Sequence, residues 1–213
     1  VRKSSRRENT MNFEVIDNTF QVLVLLGMAL ASFYFALHRL SRACLILAFG
    51  YASFALGTLY YLLYLTIMGF PPQIFYVAEC AWMAAYLFFL SLEILYWEKL
   101  HPAFSPLALV LGLAAMALIM KFEIFGPSPL MSGALAIAAG GLVYHCVSDL
   151  QREETPRLFE LSLLLLVALQ IILYIVSIFI KDYTRFNLYY VVDIALTLTM
   201  VGLLPHVLHE EDP

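Results

Sequence analysis

The chain has 213 residues, 62% of them apolar and only 13% charged, with a mean hydropathy of +0.85 and a formal charge of −4. A soluble domain is about 45–50% apolar and about 25% charged, and a water-soluble core of this size could not hide so much apolar surface. The composition therefore describes one integral membrane domain. It excludes disorder, collagen, coiled coil and nucleic-acid binding, since no basic stripe is available for phosphates.

A spanning helix needs about 20 mostly apolar residues. Seven such runs follow in chain order, at about 20–38, 43–68, 73–97, 103–120, 129–148, 158–180 and 187–208. His38-Arg39-Leu40-Ser41-Arg42 separates the first two. Gly69-Phe70-Pro71-Pro72 cannot continue a helix. Lys99-Leu100-His101-Pro102 ends the third run and Gly126-Pro127-Ser128-Pro129 starts the fifth. Asp149 to Arg157 is the longest charged stretch, and Lys181-Asp182-Tyr183-Thr184-Arg185 ends the sixth run. The runs are long and continuous where a barrel would alternate, so the expected class is an all-α, seven-helix polytopic membrane protein. Before the runs, residues 1–18 read as a polar tail.

Basic residues near the span ends set the orientation. Arg39, Arg42, Lys99, Arg152 and Arg157 fall on one side, and Lys121, Lys181 and Arg185 on the other. The loops alone place the N-terminus outside and the C-terminus in the cytoplasm, in a plasma (inner) membrane. Adding Arg2, Lys3, Arg6 and Arg7 reverses the count, seven against five. The tail is discounted because the chain opens at Val1 while Met11 offers another start. Cys44, Cys80 and Cys146 lie in or beside helices at no metal spacing, so they read as small apolar filler with no disulfide framework.

The third and seventh runs open alike. Gln73-Ile74-Phe75-Tyr76-Val77-Ala78-Glu79 matches Asn187-Leu188-Tyr189-Tyr190-Val191-Val192-Asp193 in residue type at each position. The same offset pairs Leu59-Tyr60 with Leu173-Tyr174, and a slightly different one pairs Ala29, Ala31, His38 and Ser41 with Ala136, Ala138, His145 and Ser148. The chain is thereby predicted to hold two parallel three-helix units, 19–101 and 123–209, joined by a linker helix over 102–122 and followed by a tail over 210–213. Seven helices arranged three, one, three resemble the architecture of sugar-transporting SWEET proteins, the vitamin transporter PnuC and related PQ-loop proteins. The Pro-Gln pair that names the last group should mark the first helix of each triple. Here Pro72-Gln73 opens the third helix and its counterpart is Phe186-Asn187. The likeness is one of arrangement, and no functional residue is carried over.

A charge in the hydrocarbon layer costs about 2.5–3.5 kcal/mol on insertion scales and usually has a task. Glu79 and Asp193 each lie about six residues into their runs, or about 9 Å of rise. A parallel repeat would set them at equal depth, facing across the pseudo-twofold axis. Such a pair can hold a proton, bind a cation or grip an ammonium group. Tyr60, Tyr61, Tyr64, Tyr76, Tyr174, Tyr189 and Tyr190 crowd the same half, as cavity lining or as an interfacial belt. The candidate ligand or proton site is Glu79, Asp193, Tyr76, Tyr190, Gln170 and Trp82. The plainer account makes the acids packing locks, Gln170 interhelical glue and Trp82 a packed ring.

His38, His101, His145, His206 and His209 fall at run ends that share the opposite face, with Glu93, Glu98, Asp149, Glu210 and Glu211 near the same level. His38, His145, His206 and His209 are weak candidates for zinc. Some seven-span lipid hydrolases of the ceramidase and progestin-receptor-like group use His-rich inner ends, but their ordered motif set is not matched. Pro205 stands where the last helix would kink or end. No Lys lies between Asn187 and His209, which excludes a retinal Schiff base there, and no P-loop, Gly-x-Ser-x-Gly or His-Glu-x-x-His occurs.

The expectations are ordered. A small-solute transporter comes first, coupled to a proton or cation through the paired acids. A seven-helix sensor or receptor domain whose output domain lies outside this chain comes second, and a metal-dependent membrane hydrolase third. No cofactor is expected. The expected partners are lipid, a small-molecule or cation ligand and further copies of the chain, with no nucleic acid.

Overall fold

The computed structural model describes residues 13–72, 76–97, 104–122, 129–151, 158–180 and 182–211, without the side chains of residues 76, 97, 210 and 211. From the orientation count, the tail cations, Lys99, Arg152, Arg157 and Lys181 lie outside the described residues, as does His101. Among the described residues there are seven helices: α1 Phe13–Arg39, α2 Arg42–Met68, α3 Tyr76–Trp97, α4 Pro106–Phe122, α5 Pro129–Leu150, α6 Leu158–Phe179 and α7 Leu188–Glu211. Among the described residues there is no strand. Six of the helices are long and apolar enough to cross a membrane, and α4, with 17 residues, is shorter.

Local chemistry sets the breaks. Leu40 takes a left-handed backbone (φ 52°), which stops α1. Ser41 then caps α2 by accepting from the Cys44 N–H at 2.9 Å. Gly69, at φ 77°, closes α2 with its N–H on the Leu65 carbonyl, a left-handed end that glycine adopts without a Cβ penalty. Two ends differ from the sequence expectation. Helix α1 begins at Phe13, inside the segment read as a tail, because Glu14, Asp17 and Asn18 are polar yet belong to the helix. Helix α7 passes through Pro205 and continues to Glu211. The Tyr51 hydroxyl donates to the Met200 carbonyl at 2.6 Å, one residue from Val201, whose carbonyl has no helical donor at Pro205.

The side-chain pairings give the helix directions. Tyr61 meets Glu14 and Thr58 meets Gln21, so α1 and α2 are antiparallel. Helix α3 returns along α2, with Trp82 against Gly57 and Phe89 against Gly50. Cys80 lies 3.7 Å from Met131 and Leu90 packs on Gly141, so α3 and α5 run the same way. Phe13 stacks near Tyr190 and Gln21 bonds Thr197, so α1 and α7 also run the same way. Neighbouring helices close a ring in the order α1, α2, α3, α5, α6, α7, and α4 packs outside it on α5 and α6. Tyr51, Tyr86, Phe89, Leu142, Leu163 and Met200 are fully buried within the bundle. Leu30, Ile67, Leu130 and Phe179 are among many large apolar side chains left exposed, a surface suited to lipid and not to water.

Helix α4 attaches through a contact of small residues. A Cβ on Gly112 would sit 2.8 Å from the Gly140 carbonyl oxygen, and one on Gly140 would sit 2.9 Å from the Gly112 carbonyl oxygen and collide with Met116. Backbone cannot yield as a side-chain tip can. Gly112→Ala is therefore expected to cost about 1–3 kcal/mol of stability, measured by reversible unfolding in detergent. Gly133→Ala, with nothing within 4 Å of its added methyl, should be neutral or stabilising by up to about 1 kcal/mol.

Candidate functional site

All six ring helices line one cavity of about 380 Å³ at the end of the bundle where α1, α3 and α7 begin and α2 and α6 finish. Helix α1 contributes Glu14, Asn18 and Gln21, and α2 contributes Phe54 and Tyr61. Helix α3 adds Glu79, Trp82 and Tyr86. Gln170, Leu173 and Tyr174 come from α6, and Tyr189, Tyr190 and Asp193 from α7. Leu135 of α5, Pro71 and the segment Asp182-Tyr183-Thr184 complete the wall. Glu14, Glu79, Asp182 and Asp193 bring carboxyl groups to it, and no Lys, Arg or His stands among the described lining residues. The volume falls in the range of small-molecule sites.

Polar side chains in and behind this wall are tied across the bundle. Gln21 Nε2 donates to Asp193 Oδ1 at 3.2 Å and lies 3.0 Å from Thr197 Oγ1. Its Oε1 accepts from the Thr58 hydroxyl at 2.8 Å. Thr58 in turn accepts from the Trp82 indole N–H at 3.3 Å. One amide thus joins α1, α2 and α7, and through Thr58 reaches α3. Asp17, 4% exposed, lies in hydrogen-bond contact with the Asp193 carboxyl. Beside it, the Tyr61 hydroxyl donates to Glu14 at 2.5 Å.

Five of the residues proposed from sequence, Glu79, Asp193, Tyr190, Gln170 and Trp82, face this single cavity. The Tyr76 side chain lies outside the described residues. The two acids differ in setting. Asp193 is the sixth residue of α7 and is held by Gln21 and Asp17 on α1. Glu79 is in the first turn of α3, where a small side chamber is walled by Trp82, Met83, Met131, Leu135 and Tyr174. Gln170 accepts from the buried Tyr86 hydroxyl at 3.0 Å, which aims the amide from α6 toward α3. The Tyr190 hydroxyl donates to the Tyr183 carbonyl, and the Tyr183 hydroxyl donates to the Ser177 carbonyl at 3.4 Å, so the segment before α7 is laced over the cavity. The Phe13 N–H donates to the Thr184 carbonyl at 3.1 Å and fixes the start of α1 to it. Within this segment the Thr184 hydroxyl and N–H hold the exposed Asp182 carboxyl below its ordinary value. Burial and the nearby Glu14 push the Tyr183 phenol up.

Asp17, Gln21, Glu14 and Thr58 were not among the sequence candidates. Glu14, Asp17, Asn18 and Gln21 recur at helical spacing, a polar stripe that periodicity could have caught. A scan for apolar runs starts after most of it.

At the opposite end, Glu93 of α3, Asp149 of α5 and Glu160 of α6 are all buried, with one carboxylate oxygen from each within 4.8 Å of the others. The buried Cys146 thiol lies beside Glu93. Carboxylates this close require protons or cations among them. None of the candidate zinc ligands His38, His145, His206 and His209 joins this or any other such group among the described residues. His38 instead packs at a tilt against Tyr34, and His145 meets Tyr144 edge to face.

Comparison with known proteins adds no counterpart: no family model, no curated protein and no solved structure matches the chain.

Gln21 is buried, 4% exposed, and its bonds reach two other helices. Gln21→Leu should lower stability by about 1–2 kcal/mol. Thr19→Val, which removes a hydroxyl bonded only to the Val15 carbonyl of its own helix, should change it by less than about 0.5 kcal/mol. Equilibrium unfolding in bicelles measures both.

Proposed function

We propose that the chain is a small-solute transporter of the plasma (inner) membrane, N-terminus outside, with the cavity as its substrate site. The observation that carries this is a ligand-sized cavity into which Glu79 and Asp193 bring carboxyl groups within apolar helices. Acids in such positions line solute and ion paths more often than they serve as packing. The helix order supports two parallel three-helix units as the moving parts. In the ring, α2 stands between α1 and α3, and α6 between α5 and α7. The two seams between the triples, α3 with α5 and α1 with α7, are both parallel pairs. Helix α4 sits outside, as a linker would.

A sensor is the second reading, favoured by the unbroken course of α7 from Asp193 at the cavity to Glu211 at the far end of the bundle. Occupancy of the cavity could be passed along that rod.

Uptake of labelled solute into proteoliposomes separates the two. A panel of small amines, amino acids and sugars is applied to wild type, Glu79→Gln and Asp193→Asn. Transport predicts uptake of at least one class, reduced at least about tenfold in Asp193→Asn, a loss of about 1.4 kcal/mol or more. Absence of uptake across the panel, with tryptophan fluorescence still responding to a solute, would favour the sensor.

A further inference from the structure

Gln21 bonds Thr197 between the parallel helices α1 and α7, which sets Asp17 and Asp193, each one turn earlier, side by side with their carboxyls in contact. Two carboxyl groups offer only acceptors when both are ionised, so a hydrogen bond between them requires a proton. No N–H or O–H reaches the buried Asp17 Oδ2. Asp193 has a second ligand, the Gln21 amide, which holds Oδ1 in place. Asp17 is not part of the cavity wall, whereas Asp193 is. The pair therefore has an inner member out of reach of a solute and an outer member that a solute can touch.

The surroundings select the sign of that solute. Glu14 on α1, Glu79 on α3 and Asp182 before α7 are the other acids facing the cavity. Tyr61 on α2, Tyr86 on α3, Tyr174 on α6, Tyr183, and Tyr189 and Tyr190 on α7 are the phenols. With no described cation in the wall, an anion would meet carboxyl groups and no opposite charge. A positive group, by contrast, would meet carboxylates and the faces of Trp82 and the tyrosines, an environment suited to a cation with an apolar body.

We propose that the Asp17–Asp193 pair is a proton-exchange site, at which an organic ammonium ion entering the cavity settles against Asp193 and displaces the proton that the two carboxyls share. The charge balances: one monovalent cation enters, one proton leaves to solvent, and the site keeps its net charge. Asp17 acts through Asp193 and is a positioning residue. This rests on the cavity being a solute site, but it concerns binding and not passage across the membrane.

The test uses the full chain in detergent with tetraethylammonium, which carries no proton of its own. Binding is followed by Trp82 fluorescence in a Trp97→Phe background, and proton release by a pH indicator in weakly buffered solution. The expected result is about one proton released per cation bound, with the affinity rising about tenfold per pH unit while the pair is protonated. In Asp17→Asn, binding persists, proton release falls to near zero and the pH slope flattens. Wild-type binding without proton release overturns the proposal whatever the variants do, as does the absence of tetraethylammonium binding in a protein that still carries another solute in proteoliposomes. Proton release with no uptake of any labelled solute into proteoliposomes leaves the exchange standing and removes transport.

Discussion

Gln21 is a buried side-chain amide among apolar helices, and it commits both ends of that amide to other helices. It donates toward α7 and accepts from α2, so α1 cannot turn or slide without breaking bonds to both. The rest of the cavity depends on that tie. Asp193 is aimed by it, Thr58 is oriented by it, and Trp82 is held through Thr58. Apolar contact alone discriminates weakly among helix rotations in lipid, because the tails are as apolar as leucine. A polar bond with a defined direction supplies the missing register.

The same difficulty, ionisable groups surrounded by apolar helices, is met in different ways at the two ends of the bundle. Near the helix starts the acids border a cavity and are joined to amides, hydroxyls and one another. Near the far end, Glu93, Asp149 and Glu160 are shut away where α3, α5 and α6 meet. The open arrangement leaves carboxyl oxygens within reach of a visitor, and the closed one serves as a junction.

Hydropathy made the helices legible, since each break between runs carries proline, glycine or charge. The start of α1 was not legible that way, because Glu14, Asp17, Asn18 and Gln21 lower the local hydropathy while turning toward other helices. Pro205 reads in sequence as a kink or an end, and the helix continues through it: the cost of the proline is local, and α2 supplies a hydroxyl close to where the helix loses a bond. Glu79, Asp193, Gln170, Trp82 and Tyr190 could be singled out as polar or aromatic exceptions in apolar runs. Their partners could not, because contacts such as Asp17 with Asp193 join residues far apart in the chain. Offset matching of the third and seventh runs brought Glu79 and Asp193 forward together, yet repeats compare residues across an axis and do not reveal which neighbour each touches.

Polar contacts mark the two parallel helix pairs of the ring in different ways. Between α1 and α7 the tie is at the cavity, through Gln21, Asp193 and Thr197. Between α3 and α5 the Cys80 thiol meets Met131 at the cavity end, and carboxylate oxygens of Glu93 and Asp149 come within 4.8 Å of each other at the far end. Helix α4, packed on α5 and α6, stands outside both seams. A thiol is a weaker donor than an amide and a thioether a weaker acceptor than a carboxylate, so at the mouth of the cavity the seam of α3 with α5 is the less firmly fastened of the two.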